Sequence, residues 1–261
     1  MSWGYSKEDG PATWAKNFPA AGGPRQSPVD IVPASAVFDQ GLANKPLTIN
    51  YSAEDDLQLE NPGLSFKANI SRDDVISGGP LDSTKYKLVQ FHFHWGKGDK
   101  EGSEHTVNGA MYPSELHLVH YNADKYASFG EAVTESDGLA VLGVFIKVGS
   151  KDHAGFKTLS DNVEKVKCKG NKCGTGSGFN PASLLPGNTT NYWTYEGSLT
   201  TPPCCESVRW IVFQDVIEIS AQQIDSLRNL CCDECGKERI PANYRPPLPL
   251  GKRELRASFR L

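Results

Sequence analysis

The sequence has no long apolar run, no strong excess of one charge and few helical periodicities, and each absence excludes a class of protein. No stretch approaches the roughly 20 apolar residues of a membrane span, and none resembles the hydrophobic region of a secretory signal. The formal net charge of −4 offers no electrostatic basis for binding nucleic acid or an anionic membrane surface. We therefore expect no nucleic acid and no membrane among the partners, and the start of the chain favours a cytoplasmic location.

Cysteine is present in an odd number, so the chain cannot pair all of its thiols internally. The seven residues are clustered along the sequence: Cys168, Cys173, Cys204, Cys205, Cys231, Cys232 and Cys235. The short spacings Cys168/Cys173 and Cys232/Cys235 suit a second, structural zinc site or a disulfide, and the alternative is free thiols in surface loops of a reducing compartment. We favour free thiols.

The pattern of the remaining residues predicts one mainly β domain over residues 1–261. A hydrophobic content of 38 % is enough for a packed core at this length. The sequence pattern predicts strands at 86–95, 115–121, 139–148 and 207–219, with shorter strands at 47–51, 57–59, 64–70 and 256–261. The run 139–146 is almost wholly apolar, which is typical of a strand covered on both faces. The helical candidates are 156–166 and 220–231, the second with Ser220 as N-cap and Gln223 three residues on. Residues 1–30 predict an irregular arm anchored by Trp3, Tyr5 and Trp14.

Two histidines lie two residues apart in the run Gln90-Phe91-His92-Phe93-His94-Trp95-Gly96. Because side chains alternate between the faces of a strand, His92 and His94 share one face with Gln90. Neighbours at i and i+2 stand roughly 6.5 Å apart, so two imidazoles can lean together and share one ion. The alternative is a pair of core histidines that hydrogen-bond within the protein.

A third histidine follows in the run Glu115-Leu116-His117-Leu118-Val119-His120. Its alternation places Glu115, His117 and Val119 on one face. If the two strands pair, three imidazoles converge and leave a fourth tetrahedral position open, which is the design of a catalytic zinc site. His105 and His120 are better interpreted as core histidines with hydrogen-bond partners.

A resemblance now becomes clear, because further motifs occur in order along the chain. They are Trp3-Gly4-Tyr5, Gln26-Ser27-Pro28-Val29-Asp30-Ile31, Gly102-Ser103-Glu104-His105-Thr106-Val107, Tyr192-Trp193-Thr194-Tyr195, Gly197-Ser198-Leu199-Thr200-Thr201-Pro202-Pro203 and Asn243-Tyr244-Arg245-Pro246. With the two histidine runs, they make the chain similar to the α-class carbonic anhydrases over essentially its whole length. The resemblance implies a central, twisted, mostly antiparallel sheet of about ten strands, a few peripheral helices and a conical active-site cleft. It also implies cis bonds at Ser27–Pro28 and Pro202–Pro203.

The same resemblance implies the chemistry. Zn²⁺ bound by His92, His94 and His117 would carry a hydroxide that attacks CO₂ to give bicarbonate; in carbonic anhydrase the pKa of the zinc-bound water is known to be about 7. The family assigns further roles to the following residues: Gln90, Glu115 and the Asn243 carbonyl orient the histidines, Thr200 and Glu104 orient the hydroxide, Val119, Val141, Leu199 and Trp210 hold CO₂, and Thr201 with the Thr200 N–H meets the anionic product.

The sequence departs from the family at two places. Fast members carry a histidine proton shuttle where this chain has Leu64 in Gly63-Leu64-Ser65-Phe66. Leucine carries no proton, so we expect turnover limited by proton transfer, on the order of 10³–10⁴ per second in place of ~10⁶, with Tyr5 a weak substitute. Secreted relatives often bridge the arm to the loop that bears Cys204, but the partner position near Ala21 has no cysteine.

Two other functions stay open at this point. One is an acatalytic carbonic-anhydrase-like binding module, although such a module would normally lack a zinc histidine. The other is a zinc esterase, whose activity could accompany CO₂ hydration as a side reaction. We expect a small-molecule substrate, CO₂ or bicarbonate, and a monomeric chain.

Overall fold

A computed structural model describes residues 3–260 and contains fifteen strands within that range. The strands are β1 Asp30–Ile31, β2 Val37–Phe38, β3 Leu47–Asn50, β4 Gln58–Glu60, β5 Phe66–Asn69, β6 Val75–Gly78, β7 Tyr86–Trp95, β8 Thr106–Val107, β9 Ser114–Asn122, β10 Leu139–Gly149, β11 Lys172–Gly174, β12 Tyr192–Gly197, β13 Val208–Phe213, β14 Ile217–Ser220 and β15 Arg256–Ala257. The α-helices are α1 Gln40–Asn44, α2 Phe129–Ala132, α3 Lys157–Asn162 and α4 Ala221–Arg228. Short 3₁₀ turns occupy Trp14–Lys16, Pro19–Gly22, Pro33–Ser35, Gly79–Leu81, Ala154–Phe156, Val163–Val166 and Pro181–Leu184.

Thirteen of these strands form one sheet, and β1 and β8 form a separate parallel pair. Ten strands follow the order β11-β4-β5-β7-β9-β10-β13-β12-β15-β2, and β3, β6 and β14 flank them. The pairings in the sheet are antiparallel except for β10 with β13, β10 with β14, and β15 with β2. The prediction of a mainly β, mostly antiparallel fold with few helices is confirmed.

The predicted bounds of the three long strands β7, β9 and β10 agree with the structure, whereas the strand predicted after them does not form as one element. β7 covers the predicted residues 86–95, and β9 and β10 match their predictions to within a residue at each end. The predicted strand 207–219, however, is two strands. Gly143 of β10 pairs with Val212, and Ile146 of β10 pairs with Ile217. An advance of three residues along β10 therefore corresponds to an advance of five residues along the segment that pairs with it. The two additional residues must leave the ladder, and the strand breaks there.

The helical predictions are confirmed in position and corrected in length. The predicted helix 156–166 consists of α3 between two 3₁₀ turns. The Ser220 hydroxyl accepts a hydrogen bond from the N–H of Gln223, and the Gln223 side chain accepts one from the N–H of Ser220, which is the expected capping box. Helix α4 ends at Arg228 rather than at residue 231, and the predicted strand 256–261 is the two-residue β15, with Leu261 outside the described residues.

The sheet separates two apolar layers. Phe91, Phe93 and Trp95 of β7 pack in the larger layer, whereas Val119 of β9 and Val141 of β10 pack in the smaller one. The apolar side chains of β10 alternate between the two layers, as expected for a strand covered on both faces. The histidine face of β7 and β9 is therefore the face of the smaller layer.

The remaining expectations about the backbone and the arm are also met. The Ser27–Pro28 and Pro202–Pro203 bonds are cis. In the arm, Trp3, Tyr5 and Trp14 form an aromatic cluster with ring centroids 5.4 to 5.8 Å apart. All seven cysteines lie within the described residues, and none of them is paired. Over residues 3–260, no helix has both the length and the apolar character needed to cross a bilayer.

Candidate metal centre

Strand pairing brings the three predicted histidines together. In the antiparallel ladder of β7 and β9, His92 lies directly opposite His117, and His94 lies opposite Glu115. The His94 Nε2 and His117 Nδ1 atoms are 3.1 Å apart, and the ring of His92 lies 5.0 and 5.3 Å from the other two rings. One nitrogen of each ring lies within 4.8 Å of the other two, which is close enough to share one ion.

The second nitrogen of each ring contacts an oxygen. His92 Nδ1 lies 2.9 Å from Gln90 Oε1, His94 Nδ1 lies 2.8 Å from the Asn243 carbonyl oxygen, and His117 Nε2 lies 2.7 Å from Glu115 Oε1. A carbonyl oxygen and a carboxylate only accept hydrogen bonds, so the nitrogens that face them carry the N–H. The converging nitrogens then present lone pairs to one another. Three lone pairs without a proton between them are a ligand set, and their chemistry fits Zn²⁺.

Burial keeps these imidazoles neutral. It lowers the pKa of His94 to about 3 and holds the pKa of His92 well below its usual value, with the neighbouring histidines adding to the effect. The pKa of His117 is also lowered by burial, although Glu115 acts in the opposite direction. At neutral pH the rings therefore keep the lone pairs that a metal requires.

Glu115 is the most connected side chain of the site. Its Oε1 accepts from His105 Nδ1 and His117 Nε2, each at 2.7 Å, and its Oε2 accepts the backbone N–H groups of Glu104 and His105 at 2.9 and 2.8 Å. Burial alone would raise the pKa of this carboxyl, but His105 and His117 hold it below its usual value. His105 also contacts the Tyr195 hydroxyl at 2.7 Å, as expected of a core histidine, and His120 likewise contacts Tyr51 at 2.6 Å.

Glu104 is wholly buried beside the converging nitrogens. Its Oε1 accepts the backbone N–H of Arg245 at 2.8 Å, while its Oε2 has no hydrogen-bond partner among residues 3–260. That oxygen lies 3.3 Å from His94 Nε2 and 3.8 Å from His117 Nδ1. Burial raises the pKa of the Glu104 carboxyl well above its usual value, and the adjacent Thr200 hydroxyl lowers it. An unpartnered oxygen next to unpartnered ring nitrogens is satisfied by a cation and its bound solvent, so this observation also fits a metal.

The residues expected to hold CO₂ follow from the register of the sheet. Gln90 pairs with Val119, Val119 with Val141, and Val141 with Trp210, so these side chains form one row across β7, β9, β10 and β13. Val119, Val141 and Trp210 are at most 2 % exposed, and Leu199 packs against their layer. The Trp210 ring lies 4.7 Å from the ring of His117. This row gives one side of the histidine cluster an apolar wall.

Leu64 is the residue that the resemblance places at the position of a proton shuttle. Leu64 is half-buried, and its carbonyl oxygen accepts the Asn243 side-chain amide at 3.0 Å. Burial, with a further contribution from Glu104, raises the pKa of Tyr5 well above its usual value, which makes Tyr5 a poor proton carrier at neutral pH. Thr201 is half-buried on the loop after Thr200. The conical shape of the cleft stays a prediction.

Sequence reasoning gave no role to Arg245, although the residue supports the site. Its backbone N–H binds Glu104, and its guanidinium donates to Gln26 Oε1 at 2.8 Å and to the Ser27 carbonyl at 2.9 Å. The sequence did contain a signal for this role, because the motifs that resemble the family include both Asn243-Tyr244-Arg245-Pro246 and the segment that begins with Gln26-Ser27.

These features fit a class of protein: the hydratases and hydrolases that hold a three-histidine metal site on a β-sheet. The sequence model of the eukaryotic-type carbonic anhydrases matches residues 9–259. Carbonic anhydrase 7 of Homo sapiens is 48 % identical over 263 positions, covering 99 % of this chain and 97 % of the relative. Carbonic anhydrase 7 and carbonic anhydrase 1 of Mus musculus are 47 % and 46 % identical, each over 98 % of this chain and over 97 % and 98 % of the respective relative. The chain belongs to the eukaryotic-type carbonic anhydrase family and is a carbonate dehydratase, a lyase.

Proposed function

We propose that the chain catalyses the zinc-dependent, reversible hydration of CO₂ to bicarbonate and a proton. The observation that carries this proposal is the set of three neutral imidazoles whose non-converging nitrogens each contact an oxygen. His92 and His94 would bind zinc through Nε2, and His117 through Nδ1. When bound, Zn²⁺ lowers the pKa of a water so that a hydroxide nucleophile is available near neutral pH.

Gln90, Asn243 and Glu115 keep the ligand rings in place. Each of them fixes the tautomer and the direction of one imidazole, so the three lone pairs need no rearrangement when the metal binds. Residues that hold ligands in this way raise metal affinity, because the entropic cost of ordering the rings is met when the protein folds.

Thr200 and Glu104 orient the nucleophile. The Thr200 hydroxyl donates a hydrogen bond to the Glu104 carboxylate, so its oxygen has only lone pairs left to offer and accepts a hydrogen bond from the nucleophile. Glu104 must be ionised for this role. Burial opposes ionisation, whereas the Arg245 N–H and the Thr200 hydroxyl favour it.

CO₂ is apolar and binds against the row of Val119, Val141 and Trp210, with Leu199 completing the wall. The product carries a negative charge and needs donors, which the Thr200 N–H and the Thr201 hydroxyl supply. An apolar wall next to a polar edge therefore offers the substrate and the anionic product different positions in the site.

Proton release limits turnover in this proposal. Leu64 cannot accept a proton, and the raised pKa of Tyr5 excludes it as an efficient carrier at pH 7. The rate should therefore depend on external buffer. The proposal also includes a cytoplasmic, monomeric protein with neither nucleic acid nor membrane as a partner, and a single domain over residues 1–261.

The test is stopped-flow CO₂ hydration of the zinc-loaded protein against buffer concentration, with a zinc-chelated sample alongside. Turnover that requires zinc and rises to saturation with an imidazole-type buffer is the expected result. No hydration above the chelated sample would favour the acatalytic binding module. Zinc-dependent cleavage of an activated ester without CO₂ hydration would favour the esterase. High turnover in dilute, poorly accepting buffer would refute the limit set by Leu64.

A further inference from the structure

A cavity of about 460 Å³ lies at the end of β7, apart from the histidine cluster. Its walls come from three segments: Trp95, Gly96 and Lys97; Asp225, Arg228 and Asn229; and Arg239, Ile240, Pro241 and Ala242. Trp95 follows His94 directly on the strand, so its side chain points to the opposite face of the sheet, where it packs in the larger apolar layer. The cavity is therefore not part of the metal site.

The charge of the cavity wall is predominantly positive. Arg228 is neutralised, because it pairs with Asp99 at 2.8 Å and with Asp225 at 3.2 Å. Lys97 and Arg239 are exposed and form no ion pair with any residue that the structure describes. Two uncompensated cations thus face one space whose single acidic side chain is already paired.

A buried donor in the same wall has no partner. Trp95 is 1 % exposed, and its indole nitrogen makes no hydrogen bond within residues 3–260. A buried N–H without an acceptor costs free energy comparable to a lost hydrogen bond, so such groups are rare. Trp95 lines the cavity, so an oxygen anion that reaches its indole N–H from there would supply the acceptor and would also pair with the two cations.

We propose that this cavity binds a small organic anion through carboxylate or phosphate oxygens, with Trp95, Lys97 and Arg239 as the recognising residues. The volume exceeds what one phosphate group fills, and Ile240 and Pro241 offer apolar contact to a carbon skeleton. The site is distinct from the one that hydrates CO₂ and does not depend on that activity.

The experiment uses the zinc-loaded protein labelled with ¹⁵N-tryptophan, titrated separately with inorganic phosphate and with succinate at constant ionic strength. We expect the indole N–H signal of Trp95 to move to saturation with one or both anions. Trp210 is an internal control, because its ring contacts His117 and reports any anion that binds at the metal. A response to phosphate alone or to succinate alone identifies the preferred oxyanion and supports the proposal.

Charge-removing variants test the assignment to this cavity. Arg239→Gln and Lys97→Gln should each weaken binding about tenfold, as expected for the loss of one charged hydrogen bond. Lys165→Gln is the matched control, since Lys165 is an exposed lysine outside the cavity wall, and its ammonium donates a hydrogen bond to Asn162. The proposal is overturned if neither anion moves the Trp95 signal, if only Trp210 responds, or if both cavity variants bind as tightly as the control.

Discussion

Replacing Glu115 with glutamine should separate the shape of this side chain from its charge. The carboxylate accepts four hydrogen bonds, two from histidine rings and two from backbone N–H groups. Glutamine has almost the same shape, but one of its two terminal groups is an NH₂ donor. In either orientation, that donor faces two other donors in a fully buried site.

The size of the effect follows from the two orientations. If the NH₂ faces the backbone of Glu104 and His105, two buried N–H groups lose their acceptor, which costs about 2–6 kcal/mol of the free energy of unfolding. If it faces the rings, His117 must accept at Nε2 and carry its proton on Nδ1, the nitrogen that would bind the metal. Zinc affinity should then fall about 10- to 100-fold, the usual cost of losing a group that orients a ligand.

Two measurements distinguish these costs: competition for zinc with a chromophoric chelator, and urea unfolding of the metal-free protein. Glu101→Gln is the matched control, since Glu101 accepts from the Tyr244 hydroxyl and the Lys97 N–H and contacts no histidine. A folded Glu115→Gln protein that binds zinc within about twofold of wild type and unfolds at the same urea concentration would refute the argument.

Three further predictions concern other parts of the molecule. Leu64→His should raise CO₂ hydration in dilute buffer about tenfold or more and leave it unchanged in concentrated imidazole; an equal rate in dilute buffer would contradict a proton-transfer limit. Burial lowers the pKa of His120 to about 3. Below pH 6.5, His120 therefore takes up a proton in the unfolded chain but not in the folded protein, and the free energy of unfolding decreases as the pH is lowered. At pH 5 this proton uptake lowers the free energy of unfolding by about 2 kcal/mol. In urea unfolding of the metal-free proteins, His120→Gln should therefore lose about 2 kcal/mol less than wild type between pH 7 and pH 5. Equal losses in the two proteins would refute the role of His120. Ser220→Ala should lower the free energy of unfolding by about 1 kcal/mol through loss of the cap, whereas Ser226→Ala within the same helix should have a smaller effect, and equal effects would argue against the cap.

Short-range features of this protein were accessible from the sequence. The alternation around His92 and His94 predicted both the strand and the shared face, because the two-residue period of a strand is a local property of the backbone. The cap at Ser220 was predictable for the same reason, since a capping box spans only four residues. The break between β13 and β14 was not, because it arises from a mismatch in length against β10, a strand about 70 residues away in sequence.

The sequence by itself determined the chemistry that is available: two imidazoles at strand spacing and a third on a later strand, the carboxylates, the apolar strands, and a leucine at the position that the resemblance assigns to a proton shuttle. Only the tertiary structure decided how these groups meet. It places the Asn243 carbonyl on His94, 149 residues away, and leaves Glu104 Oε2 without a partner beside the ring nitrogens. It also brings Lys97 and Arg239 to one cavity with the indole of Trp95. Such contacts depend on the register of the strands and on the points where loops return to the sheet. Both are determined by the packing of the whole domain, so a local sequence pattern does not predict them.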